Sequence, residues 1–435
     1  MTTVERGYNM KTKEKKAKRT HKQRFALLLR ILLVIILLIG IIAGVVAIIN
    51  MICVKSNRGF IESLDAVSYD MQLEPIDKNG YTTFVTDDEL KIMQLTDVHL
   101  GGGFMCAKKD KMAINAVAAM VTQEKPDLVI VTGDIAYPVP FQAGTFNNKS
   151  GAALMAELME KLGVYWCPVF GNHDTEAYSY YSRKQISKFY SQDKFKYCLF
   201  ESGDDSVDGY GNYVVNVENT SGKITQSLFM MDSHSYTDGD IFGAAWKYDC
   251  IHQSQIDWYE NELNSLTQIN DGATPKSLAF FHIPLLEFRD AWYEYMDNSY
   301  KDTDNVKVIY GKTGESGKIV YSSDKNEGFF DRMLELGSTQ GIFCGHDHAN
   351  NFSLDYKGIR LTYGYSVDYL AYVGIKDFGL QRGCTMIGVK PDGSFECRGE
   401  NYYQDKYKPV MEKEAVELEH EYNEEKLVNQ THPAA

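Results

Sequence analysis

No Cys-x-x-Cys pair occurs in the 435 residues, and the eight cysteines stand singly along the chain. That argues against a structural zinc module and against a dense disulfide framework. One or two disulfides stay open, and the sequence does not pair them. No internal repeat is present, and no low-complexity tract beyond a basic N-terminal arm, which sets repeat architectures aside. Positive charge is outweighed past residue 50. The first 50 residues hold ten Lys/Arg against two Asp/Glu, so a net charge of -14 overall leaves -22 on the remainder. So acidic a body is a poor partner for a nucleic-acid backbone, and no such binding is expected. It can still take an anionic phosphate ester if metal cations dominate the local field. With 44% hydrophobic and 24% charged residues, the chain has the composition of a globular protein able to bury a core.

A polar face is missing from Ile31 to Ile49, an unbroken run of apolar residues and glycine. At about 1.5 Å per residue such a helix nearly spans the ~30 Å hydrocarbon layer. Phe25 to Leu29 extend it, and Arg30 can reach the interface along its own stem. Lys and Arg crowd the stretch from Lys11 to Arg24, whereas only Lys55 and Arg58 follow closely. The positive-inside rule then puts the N-terminus in the cytoplasm and the body outside a cell membrane. A cleaved signal peptide is the other reading, but the run is long for one and no A-x-A-like site follows. The expected organisation is a basic cytoplasmic arm (1–24) and a single-pass signal anchor in the lipid bilayer (25–53). A juxtamembrane linker with one hairpin at most (54–89), a catalytic domain (90–400) and a charged, helix-prone tail (401–435) follow.

Within the body, apolar β-type runs alternate with helical spacing, the rhythm of an α/β fold. Leu128-Val129-Ile130-Val131 reads as a central strand covered on both faces. Residues 107–124, 151–162, 253–266 and 328–336 read as helices. Residues 287–326 are long, polar and Tyr-rich, and read as a cap or lid without regular structure.

Five of the strand-like runs end in metal-ligand types: Asp97-Val98-His99, Gly133-Asp134, Gly171-Asn172-His173-Asp174, Phe281-His282 and Gly345-His346-Asp347-His348. Carboxylate, imidazole and carboxamide donors gathered at strand ends suit a two-metal hydrolytic site, and the mixed N/O set favours Fe, Mn or Zn over Ca.

This ordered set resembles the calcineurin-like metallophosphoesterase superfamily, over residues 90–390. Phe281-His282-Ile283-Pro284-Leu285, Asn326-Glu327-Gly328-Phe329-Phe330 and Gly345 to Phe352 look like its purple acid phosphatase-like branch. The resemblance implies a four-layer α/β fold, two packed mixed β-sheets flanked by helices. It implies Asp97, His99 and His348 on one metal, Asn172, His282 and His346 on the second, and Asp134 bridging. It further implies in-line attack on phosphorus by a metal-bridging hydroxide, with His173 as general acid and Asp174 fixing its tautomer. The expected substrate is a small phosphomonoester; the alternative is a phosphodiester of a nucleotide, cyclic nucleotide or lipid headgroup. A non-catalytic surface module on a dead fold is the reading from another class, and loss of ligands would mark it. Gly133 to Tyr137 matches the Gly-Asp-x-x-Tyr of true purple acid phosphatases. Those lack the histidine of Asp-x-His, so His99 makes Tyr137 redundant as a ligand. The Gly-Asp-x-Val-Asp-Arg-Gly motif of Ser/Thr protein phosphatases is absent. His234 is expected near the surface or behind the ligands. Asn148, Asn219, Asn351 and Asn429 stand in glycosylation patterns, which matter only in a eukaryotic secretory pathway.

Overall fold

A computed structural model describes residues 20–414, except 238, 241, 318, 373, 374 and 376–381. Most of the basic arm, and the tail from residue 415, thus lie outside the described residues. The chain forms two compact units, Met1–Ile49 and Asn50–Ala435. In the first unit the described residues belong almost wholly to α1 (His21–Glu62), whose apolar part is long enough to cross a membrane by length and composition.

The second unit begins inside α1. Val54, Asn57 and Ile61 are buried, and Arg58 Nε lies 2.8 Å from Glu157. Residues 54–62 therefore pack on the body, where a linker is expected from sequence. The hairpin β1 (Ile76–Lys78) and β2 (Tyr81–Val85) follows, turning at Asn79-Gly80, both with positive φ. Next come β3 (Leu90–Leu95), α2 (Ala107–Glu124), β4 (Leu128–Thr132), the one-turn α3 (Pro140–Ala143), α4 (Asn148–Leu162), β5 (Trp166–Val169) and α5 (Arg183–Tyr190). After β6 (Tyr213–Glu218) and β7 (Ile224–Met230) run α6 (Gln253–Ile269), β8 (Lys276–Phe280), α7 (Leu286–Asp297) and β9 (Val306–Tyr310). The chain closes with α8 (Phe329–Leu336), β10 (Thr339–Cys344), β11 (Ser353–Tyr356), β12 (Ile359–Tyr363), β13 (Gly383–Val389) and β14 (Phe395–Asn401).

The strands form two mixed sheets, β1-β2-β6-β7-β8-β10-β12-β11-β9 and β14-β13-β3-β4-β5. Period-two alternation makes them a sandwich. On β8, Leu278 and Phe280 face the core shared with Met93, Leu95 and Val129 of the smaller sheet, while Ala279 faces the core under α6, α7 and α8. All five residues of β4 are buried. Each large aliphatic side chain covered this way contributes roughly 1.5–3 kcal/mol of transfer free energy. Helices α2 and α4 cover the outer face of the smaller sheet. Pro126 follows α2, and α4 stops at Gly163, whose φ of 70° lets its N–H return to Met159 O. The result is four layers: helices, sheet, sheet, helices.

In both sheets the central strands run parallel: β3-β4-β5 in one, β7-β8-β10-β12 in the other. Their C-terminal ends meet at one edge of the sandwich, which gathers residues far apart in sequence. The segment 287–326, expected as an irregular cap, instead supplies α7 and the edge strand β9 before its loop from residue 311. At the C-terminus, Tyr402 and Tyr407 are buried and Tyr407 Oη donates to Glu124. The described part of the expected tail is therefore packed on α2.

Candidate metal centre

The loops leaving β3, β4 and β10 turn abruptly. Asp97, His99, Asp134 and His346 all take positive φ, between 50° and 77°, a conformation rare for residues with a Cβ. Such strain gathers where a side chain must be aimed. Two glycines permit the approach of neighbouring loops. A Cβ on Gly133 would stand 2.5 Å from His282 Nδ1, and one on Gly345 would stand 1.8 Å from Thr96 Oγ1.

Asp97, His99, Asp134 and His348 place one donor atom each within 4.8 Å of one another. His348 Nε2 lies 3.4 Å from Asp97 Oδ1, and His99 Nε2 lies 3.1 Å from Asp134 Oδ2. The same Asp134 Oδ2 lies 3.2 Å from His282 Nε2, which in turn faces Asn172 Oδ1 at 3.1 Å. One carboxylate oxygen thus stands between two donor groups. Its partner Oδ1 accepts the His173 N–H at 2.8 Å. Donors held about 2.0–2.2 Å from a shared cation at right angles stand roughly 3 Å apart, the spacing seen here.

Tautomers and charge agree with this. His282 Nδ1 donates to Thr132 O at 2.8 Å, which turns Nε2 inward. Asn172 Nδ2 donates to Tyr236 Oη at 3.0 Å, which turns the carbonyl oxygen inward. Burial and the nearby His282 hold His346 well below the ordinary imidazole range, so it is neutral, and its buried Nε2 has no hydrogen-bond partner. Burial works against ionised Asp134, yet His282 and His173 hold its carboxyl well below the usual carboxylate range. An orphaned neutral imidazole whose ring lies 5.1 Å from that of His282, itself against the shared Asp134 oxygen, fits two cations.

His173 is partly exposed and lines a cavity of about 190 Å³ with Trp246, Tyr248, Glu315, Tyr321 and His348. Its Nδ1 meets Glu176 Oε1 at 2.7 Å. Asp174, expected to serve His173, does not touch it. Its carboxylate accepts the backbone N–H groups of Asp134, Ala136 and Gly171 at 2.7–3.0 Å. The loop reverses there, so Asp174 staples the β4 and β5 loops together and Glu176 takes the place assigned to it. Tyr137 donates to Gln142 at 2.7 Å, and burial and Asp368 push its phenol up. His234 stacks on His252, with ring centroids 4.2 Å apart.

Sequence reading missed Asp368. It is fully buried, with Oδ1 3.2 Å from His99 Nδ1 and Oδ2 3.5 Å from His348 Nδ1. The His99 contact is a charge contact, off the line of a hydrogen bond. Arg183 was missed as well. It pairs with Asp232 and donates to Gly171 O and Ser235 Oγ, each at 2.7 Å, bracing the β5 loop. Of the glycosylation patterns, Asn148 is buried and its amide donates to Asp174 O and Tyr181 O.

Carboxylates and imidazoles converging on one shared oxygen at the ends of parallel strands are the donor set of a two-metal hydrolytic centre. Residues 90–350 match the calcineurin-like phosphoesterase family, and the chain belongs to it. It is 30% identical over 318 residues to a protein of Arabidopsis thaliana named probable inactive purple acid phosphatase 14, covering 66% of this chain and 73% of that one. Phosphatase DCR2 of Saccharomyces cerevisiae is 28% identical over 297 residues, covering 64% of this chain and 48% of that one. Among solved structures, a dimetal phosphatase from Danio rerio overlies 73% of this chain and 98% of its own, at 12% identity and a TM-score of 0.45.

Proposed function

We propose that the chain is a membrane-anchored phosphomonoester hydrolase. Asp97, His99 and His348 would hold one ion, Asn172, His282 and His346 the other, and Asp134 would serve both. The observation that carries this is the position of Asp134 Oδ2, 3.1 Å from His99 Nε2 and 3.2 Å from His282 Nε2. Two ions of Fe, Mn or Zn would supply Lewis-acid activation of water and neutralise phosphoryl charge. The protein does the rest. Glu176 accepts Nδ1–H of His173, and in the imidazolium form Nε2 holds the second proton for a leaving oxygen in the cavity. Asp174 and Arg183 hold the β5 loop, and Asp368 stands behind His99 and His348. A 190 Å³ cavity suits a small phosphate ester. That all seven donor positions are filled favours hydrolysis over a dead scaffold, although some relatives are named inactive. Residues 25–53 anchor the chain, with its N-terminus cytoplasmic and the domain at 90–400 outside.

The test pairs elemental analysis of the purified full chain with turnover of matched phosphomonoester and phosphodiester substrates. Two transition-metal ions per chain and preference for the monoester are expected. A metal-free chain, or one turning over only the diester, overturns the reading.

A further inference from the structure

Asn50 is the residue that follows the apolar run ending at Ile49. Its amide ties down two loops of the catalytic body. Nδ2 donates to Gly144 O at 3.1 Å, and Oδ1 accepts the Phe104 N–H at 2.8 Å. Those loops carry large apolar side chains turned to the outside. Phe141 is 88% exposed, Met105 51% and Phe104 41%. Phe104 and Met105 lie over Gly144, where a Cβ would meet them at 2.6 and 3.0 Å. Beside them Phe146 stacks on Tyr180, itself 66% exposed, with ring centroids 6.1 Å apart. An exposed cluster of this size is unusual on a protein surrounded by water alone.

We propose that Phe104, Met105, Phe141, Phe146 and Tyr180 form a second membrane contact, seated in the lipid interface where the chain leaves the anchoring run. The proposal rests on the anchored reading above. The headgroup layer adds about 5–7 Å to each side of the hydrocarbon core, and two hydrogen bonds to Asn50 fix the loops at that level. Tyr180 carries a ring with a polar edge, which favours this layer, and the Phe and Met side chains can bury their apolar surface at its acyl boundary. The loops are also those that leave the metal centre. Leu100 N donates to Ile135 O at 2.9 Å, and Tyr137 N to Leu100 O at 3.1 Å, so the strand ends bearing His99 and Asp134 are joined to the patch. Seating the patch would hold the site close to the bilayer surface.

The experiment uses the full chain in phosphatidylcholine bilayers containing lipids brominated at shallow or deep acyl positions, with an alkaline carbonate wash. Phe141→Trp should add blue-shifted emission that shallow bromine quenches at least twofold more than deep bromine. Ile309→Trp, on the edge strand β9 of the other sheet, should add emission that neither lipid quenches. Retention of the chain through the wash with solvent-like, unquenched emission from Phe141→Trp overturns the patch alone. Release of the chain by the wash overturns the anchored reading and the patch with it.

Discussion

Glu176 Oε1 lies 2.7 Å from Nδ1 of His173, with the carboxylate side chain almost fully buried and the imidazole open to the cavity. A general acid of this kind contributes about 10²–10⁴-fold where the leaving group needs a proton. His173→Ala should lose turnover on that scale for an alkyl phosphate and far less for a nitrophenyl phosphate, with metal content unchanged. Glu176→Gln should show the same leaving-group dependence at smaller amplitude, because it removes orientation and leaves the proton carrier. Equal losses on both substrates would show that the pair does something other than proton donation.

Asp368 stands beside Nδ1 of two imidazoles at once, at 3.2 and 3.5 Å. Carboxylates behind ligand histidines raise their basicity and fix their aim, and their loss costs roughly 10–100-fold in metal affinity or activity. Asp368→Asn should weaken one of the two ions by that factor and spare the other. Chelator competition, followed by metal content per chain, reads this directly. Equal weakening of both ions would place Asp368 outside the assigned group.

How legible the site was depended on whether a residue's partner was local. Leu128 to Val131 is buried on both faces, so its apolar run announced β4, and Asp134 at its end came with it. His282 and His346 followed from the same pattern on β8 and β10. Asp174 was misassigned because adjacency to His173 counts for little in a loop that folds its carboxylate back onto backbone N–H groups. Asp368 partners His99 after β3 and His348 after β10, both far off in sequence, and no spacing in its own segment records that. Residues 54–62 looked like a linker because only Val54, Asn57 and Ile61 are buried there, too few to stand out beside the apolar run before them. β9 hid in a Tyr-rich stretch because an edge strand with alternate exposed residues needs no continuous apolar run.

Gly345 leaves no room for a side chain between β10 and β3, since its Cβ would meet Thr96 Oγ1 at 1.8 Å and Asp97 Oδ2 at 2.9 Å. Overpacking of this kind costs about 1–3 kcal/mol. Thr96 Oγ1 also holds Asp97 Oδ2 at 2.8 Å, so the shift falls on a proposed ligand. Gly345→Ala should therefore lose metal well before it loses fold. Thermal unfolding with and without chelator separates the two: the apo midpoint should drop slightly, and the gain on adding metal should largely vanish. An unchanged gain would mean the loop accommodates the methyl without moving Asp97.

Metal uptake should depend steeply on pH, and the sign follows from the imidazoles. Burial opposes the charged form of His282, but the facing Asp134 prevails and raises it to about 9. Asp97 raises His348 against the same opposition, and Asp368 with Asp134 raises His99 well above its usual value. In the metal-free chain His282 therefore carries a proton at neutral pH, and an ion must displace it. Apparent affinity should then climb from the ordinary imidazole value of about 6.5 up to about 9, by up to roughly tenfold per pH unit for each proton displaced. Because the folded values lie above the unfolded ones, the metal-free chain has the full benefit of these imidazolium–carboxylate contacts below about 6.5 and loses it as pH rises through the folded values. The metal-loaded chain, with cations in place of protons, should not lose stability over that window. Calorimetric metal titration in buffers of different protonation enthalpy counts the protons released. Binding without proton release, or two unfolding curves that run parallel from about pH 6 to about pH 9, would show that the imidazoles are already neutral before the metal arrives.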